Sequence, residues 1–319
     1  MNRSLAFFIF FLSYVSTIIA DGIDPIFFPK AEVLNKYTTR IPFKLIDHLI
    51  VVEAELLNKR GNFIIDTGSE SLILNKAHFP LNHPFNKKAV SSSGIIKEID
   101  NPFEKRLKDF TLQNLTLKNK SSDVIDLSHI EKIKKIRLLG IIGYNILKDY
   151  EVFIDLHLNQ LTLTKVDKKG NKLSDKVYAE KIADSLYFKL KKHTIVISAF
   201  INNQKLKFAL DSGAEYNLLS KNVNKKVLKF FIPRKRLKLN GVGQKKIEVM
   251  AGNLHRVKLS ETIYFGPMYT MLSNLTKLND AFGTELDGVV GYEFLEQKRT
   301  IINYKKQKLY FIDYPRNRQ

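Results

Sequence analysis

The chain repeats itself. Residues 43–76, FKLIDHLIVVEAELLNKRGNFIIDTGSESLILNK, align without a gap on residues 188–221, FKLKKHTIVISAFINNQKLKFALDSGAEYNLLSK. The offset is a constant 145, and 14 of the 34 positions are identical. A second block repeats at an offset of 148: LLGIIGYNIL from Leu138 matches LDGVVGYEFL from Leu286, and FIDLHLNQLTL (153–163) matches IINYKKQKLYF (301–311). Each half thus carries one order of parts: paired strands, an Asp-Thr/Ser-Gly turn, a variable middle, an apolar-apolar-Gly element and a closing strand pair. Such a repeat forces two like units on the chain.

Within each half the pattern favours sheet. Residues 49–57 and 194–201 are rich in Ile, Val and Leu with partial alternation, the signature of half-buried strands. Hairpin turns are expected at 58–61 and 202–205, and short helices after Gly143, after Gly291 and around 127–136. The polar stretch 165–181 links the halves. The expected organisation is an N-terminal extension at 21–40, a first lobe at 41–170 and a second at 171–319. The extension has no evident counterpart in the second half.

Residues 2–20, NRSLAFFIFFLSYVSTIIA, place one Arg before an uncharged apolar run that ends at Ala20. That is the layout of a cleaved secretory signal over 1–20; an uncleaved membrane anchor is the alternative, although the run falls just short of the about 20 residues a span needs. An exported protein is expected, whether periplasmic, secreted or envelope-associated. With no cysteine, disulfides, thiolate metal sites and thiol catalysis are excluded. The net charge of +20, from 52 Lys and Arg against 32 Asp and Glu, raises the question of a polyanionic partner. The basic residues are dispersed, however, and runs such as Lys132, Lys134, Lys135 or Arg234, Lys235, Arg236 read as solvated faces. No nucleic-acid reader motif accompanies them, and no nucleic-acid partner is expected. The seven His form no His-Glu-x-x-His pair, which leaves no metal site in view, and most read as surface or turn residues.

Chemistry concentrates where each repeat's strand ends. Phe63, Ile64 and Ile65 run into Asp66, Thr67 and Gly68; Phe208, Ala209 and Leu210 run into Asp211, Ser212 and Gly213. A carboxylate at the end of an apolar strand needs compensation. One such tripeptide is an ordinary turn; two copies in equivalent places, each followed by a distal apolar-apolar-Gly, are far more specific.

At these residues the sequence resembles the aspartic peptidases, both the retropepsin-like proteins, to whose motif after the active-site loop IIGYN (141–145) is similar, and the two-lobed pepsins. The resemblance covers roughly 43–315. It implies two β-barrel-like lobes of the acid-protease fold, related by a pseudo-two-fold axis, with a cleft for a polypeptide substrate between them in a monomer. It makes Asp66 and Asp211 the catalytic dyad, Thr67 and Ser212 the hydroxyls that buttress the two loops, and Gly68 and Gly213 the tight turns offering N–H groups to the carboxylates. Gly143 and Gly291 would support the loops from below. Two carboxyls held about 3 Å apart share one proton; the ionised one activates a water and the protonated one polarises the scissile carbonyl. No metal or organic cofactor is implied.

The two loops differ after the turn, at Ser69 and Ala214. A Ser69 hydroxyl bonded to Asp66 would favour its ionised form, so the shared proton is expected on Asp211. Flap hairpins are sought at VSSSGIIKEI (90–99), with Ser93 and Gly94, and at LNGVGQKKIEV (239–249), with Gly241 and Gly243; hairpins without a lid function are the alternative. Since a fold does not guarantee its chemistry, a catalytically silent bilobal protein binding peptide or polyanion stands as the rival to an endopeptidase.

Overall fold

The computed structural model describes residues 26–79, 86–87, 103–113, 115–174, 177, 181–240 and 246–314. The expected signal segment 1–20 lies outside them. The described chain is mainly β and forms three sheets, one from each half and one shared. Among the described residues no helix is long and apolar enough to cross a membrane.

The two halves begin alike. Leu49–Leu56 pairs with Lys59–Ile65 across a turn at Leu57 and Asn58, whose φ angles are 51° and 61°; Thr194–Ile201 pairs with Gln204–Leu210 across Asn202 and Asn203, at 50° and 59°. Two consecutive left-handed residues are what a two-residue hairpin needs to match strand twist, and the Asn residues tolerate it. The chain then passes through the Asp loop into Leu72–Asn75 or Asn217–Ser220. The apolar-Gly strand later inserts between the two earlier ones. Leu138–Ile142 lies parallel to Lys59–Ile65 and antiparallel to Leu72–Asn75; Gly288–Val290 does the same between Gln204–Leu210 and Asn217–Ser220.

In the first half six strands close into a barrel when Glu55 meets Thr111, joining Leu49–Leu56 to Phe103–Leu112. In the second half the corresponding sheet stays open as a half-barrel ending at the edge strand Phe231–Asn240. The interiors are apolar, with Phe63 against Phe110 in the first half and Phe265, Phe294 and Phe311 packed together in the second.

The shared sheet has seven strands. At its centre Tyr150–Asp155 runs antiparallel to Arg299–Asn303, and Phe153 faces Ile301. These two residues are repeat mates (153 + 148 = 301). The flanking pairs Val152↔Ile302 and Ile154↔Thr300 exchange under the same shift, so an approximate two-fold axis passes through the Phe153–Ile301 pair. The side chains around it have diverged. Arg299 bonds Asp155 Oδ2 through Nε at 2.9 Å and Nη2 at 2.6 Å, both residues buried. Their mates Glu151 and Asn303 meet through an amide, Asn303 Nδ2 donating to Glu151 Oε2 at 2.9 Å.

Two expectations change here. Thr38–Pro42, partly within the presumed extension, pairs with Gln160–Lys165 as an outer strand of the shared sheet. Its counterpart is Asp184–Tyr187, which pairs with Lys308–Ile312 and stands 145 residues after 39–42. Thr and Arg against Asp and Ser left nothing for sequence comparison to align. Lys134, read as part of a solvated run, is buried, with 1% of its side chain exposed. The helices expected after the two Gly residues are Tyr144–Leu147 and Tyr292–Leu295; that around 127–136 is Ser128–Lys134. Thr276–Phe282 is its repeat mate and Lys225–Leu228 a further short turn of helix.

Candidate active site

Asp66 and Asp211 are brought together at the meeting of the two lobes, each buried, with 0% and 1% exposed. Each leaves its strand with its N–H bonded to the inserted strand, Asp66 to Ile142 O at 3.0 Å and Asp211 to Val290 O at 2.9 Å. The turn then folds back on its own carboxyl. Asp66 Oδ1 accepts from the N–H groups of Gly68 (2.8 Å) and Ser69 (3.0 Å); Asp211 Oδ1 accepts from Gly213 N–H at 2.8 Å.

The second residue of each turn locks the loops to one another. Thr67 N–H donates to Ser212 Oγ at 3.0 Å and Ser212 N–H donates to Thr67 Oγ1 at 2.9 Å. Each hydroxyl in turn donates across the interface, Thr67 to Leu210 O at 3.3 Å and Ser212 to Ile65 O at 2.9 Å. All four groups are buried, so each bond lost leaves a polar group unsatisfied. Thr67→Val keeps the shape but strands the Ser212 N–H, and is expected to cost about 1–3 kcal/mol. Thr67→Ser, which keeps the hydroxyl, is expected to lose much less. Urea unfolding of the two variants checks this: equal losses would mean that the grip contributes nothing beyond packing.

Glycine is required where the lobes touch. A Cβ on Gly68 would stand 2.5 Å from Cγ of Asp211, and one on Gly213 would stand 2.7 Å from Cγ of Asp66. Each carboxyl is therefore seated against the opposite loop's glycine. Gly143 and Gly291 do lie beneath the loops, where a Cβ would stand 2.6 Å from Ser69 O and 2.1 Å from Ala214 O respectively. The next N–H in each case, of Tyr144 or Tyr292, bonds that same carbonyl.

Burial first, and then the charge and hydrogen bonding of Asp211, hold the Asp66 carboxyl well above the ordinary 3.8. Burial pushes Asp211 up to about 6, against the pull of hydrogen bonds from Asp66, Gly213 and Gly68. Among the described residues, Oδ2 of each acid is buried and has no hydrogen-bond partner; a proton on one acid is the donor the pair itself supplies.

The hydroxyl contact on which the expected asymmetry rests is not the one formed. The Ser69 hydroxyl donates to Ser71 O at 3.2 Å, not to Asp66; only its backbone N–H reaches the carboxyl. Both carboxyls are held above their ordinary range, and the shared proton belongs to the pair. The candidate flap residues Ser93, Gly94, Gly241 and Gly243 lie outside the described residues. The strands leading to the second tip are described, and pair as far as Asn240↔Lys246.

Several residues at the loops were not singled out from sequence. Gly140 and Gly288 admit the inserted strand: a Cβ there would stand 2.1 Å from Ile73 O and 2.4 Å from Leu218 O. Glu70 and Glu215, four residues after each Asp, receive a histidine from the other lobe. His193 Nδ1 lies 3.8 Å from Glu70 Oε2, and His48 Nδ1 lies 3.2 Å from Glu215 O. His193 is buried rather than at the surface, and burial pushes its imidazole down to about 4. The signal was present, since His48/His193 and Glu70/Glu215 are identities of the 145-residue alignment.

No family model matches the chain, and no curated protein is significantly similar to it.

Proposed function

We propose that the protein is an aspartic endopeptidase with the bilobal acid-protease fold, hydrolysing polypeptides at a single dyad of Asp66 and Asp211. The observation that carries the proposal is the buried carboxyl pair seated on reciprocal glycines and locked by the Thr67–Ser212 exchange. Two acids so confined keep one proton between them over the range where one is ionised. The ionised carboxyl takes a proton from a water, whose oxygen attacks the peptide carbonyl carbon. The protonated carboxyl donates to the carbonyl oxygen, and the resulting tetrahedral diol collapses with transfer of a proton to the leaving nitrogen. No covalent bond to the protein forms. The protein acts after export, in keeping with the apolar segment near its start.

The test is turnover of a proteome-derived peptide mixture by the mature chain from about pH 3 to pH 8, with product sequencing; the profile of a shared-proton pair is bell-shaped. Both carboxyls are held above their ordinary range, which moves the acidic limb upward and sets the alkaline limb where the pair loses its last proton. An optimum on the acidic side of neutral is expected. Activity rising steadily into alkali would exclude the shared proton.

A further inference from the structure

The burial of Lys134 demands an explanation, because an ammonium is costly to remove from water. It is the last residue of Ser128–Lys134, a helix of the first lobe. Its Nζ lies 2.7 Å from Glu215 Oε1 and 3.0 Å from Asp47 Oδ2. Asp47 belongs to the first lobe, in the left-handed turn between Lys44–Ile46 and Leu49–Leu56. Glu215 belongs to the second, four residues beyond Asp211, and its side chain is 2% exposed.

The same junction holds the adjoining backbone. His48, next to Asp47, lies 3.2 Å from the carbonyl oxygen of Glu215, stacks on Tyr292 at 4.2 Å between ring centres, and meets Tyr216 edge-on at 5.4 Å. Tyr292 in turn donates its N–H to Ala214 O. The loop carrying Asp211 is thus held from the first lobe through Glu215 and from its own lobe through Ala214. The lysine of this clasp has no counterpart in the sequence of the other half. Glu70, the mate of Glu215, meets a histidine, and Phe282 stands at the sequence position that matches Lys134 (134 + 148 = 282).

Building on the dyad assignment, we infer that Lys134 is a positioning residue, whose ammonium crosses between the lobes to fix the Asp211 loop at Glu215 and so sets how the second carboxyl faces the first. A buried ion pair is poor value for stability alone, since apolar replacements often do as well; what it supplies is direction. Glu215 also depends on the lysine for its charge: burial pushes it up to about 7, opposed by Lys134 and reinforced by Asp47.

The test compares Lys134→Met, Lys134→Met/Glu215→Leu and Asp66→Asn with the unmodified mature protein. Three quantities are read: the urea midpoint, kcat and KM on a cleaved peptide, and the titration of the dyad carboxyls followed by carbon-13 NMR. The single variant is expected to lose stability, because Glu215 is left buried without its cation. The double variant removes both charges and is expected to regain the midpoint. Its kcat should still fall roughly ten- to a hundredfold, the order that a misplacement of about 1 Å costs, with KM changing less. The Asp211 carboxyl should titrate closer to its ordinary value as the loop relaxes. A folded double variant with full kcat and an unchanged titration would overturn the inference. The titration needs no substrate, so it decides the matter on its own if no peptide is cleaved. Turnover persisting in Asp66→Asn would instead remove the dyad, an outcome separate from anything Lys134 does.

Discussion

Asp66→Asn and Asp211→Asn are each expected to reduce peptide turnover by roughly a thousandfold or more, and the double variant to be scarcely worse, because groups acting as one unit are strongly non-additive. Either change removes the shared proton and the water activation together. Independent sites in the two lobes would instead leave about half the turnover in each single variant. The same substitutions are expected to stabilise the fold near neutrality. The folded-state values are raised, so the carboxyls favour folding most below the ordinary 3.8, and that contribution is lost as pH rises through about 6. A raised Asp211 alone amounts to about 3 kcal/mol by pH 7. Asn carries no such liability. The variants should therefore match the parent in melting below about pH 4 and exceed it increasingly as pH rises from there to the folded-state values, beyond which the difference levels off. Substantial turnover in either folded single variant would sink the dyad; equal melting at all pH values would mean that the carboxyls are not strained by burial.

The second large effect is expected at the centre of the shared sheet. Arg299 and Asp155 are both buried, each with 2% of its side chain exposed. Asp155 spends its other oxygen, Oδ1, on the N–H groups of His157 and Leu158. Arg299→Met leaves a carboxylate in the interior with no cation, a change that typically costs about 3–5 kcal/mol. Adding Asp155→Asn should recover much of the loss, since an amide oxygen can still cap the turn without a charge. Urea unfolding of the single and double variants measures both. An unshifted midpoint for Arg299→Met would show that the pair contributes no net stability.

What could be read from the sequence was what the duplication made redundant. The hairpins, the Asp turns and the inserted strands occur twice, so noise in one copy is cancelled by the other. The dyad, the buttressing hydroxyls and the loop supports at Gly143 and Gly291 came from the family resemblance that those paired copies carry. The features that escaped are those that break the repeat. Lys134 has no lysine at its matching position, and charge runs usually face water, so nothing in the sequence marked it as buried. Arg299 aligns with Glu151, a pairing that suggests divergence rather than a contact. Ser69 misled for a different reason: sequence does not say which acceptor a hydroxyl takes, and only three-dimensional geometry shows that it turns to Ser71 O. The strand Thr38–Pro42 was missed because its role is set by backbone pairing with Gln160–Lys165, which imposes little on side-chain identity.

The unequal pairs beside Phe153 and Ile301 bear on the history of the chain. A homodimer of the first half, assembled around the same axis, would set Glu151 against the Asp155 of its copy, and do so twice, placing four carboxyl groups where the chain now holds two carboxyls, one guanidinium and one amide. A homodimer of the second half would set Arg299 against Asn303 and leave two buried guanidiniums without an anion. Neither half is any longer its own partner. At this axis each half is complementary to the other and not to itself, and the chain is committed to carrying both.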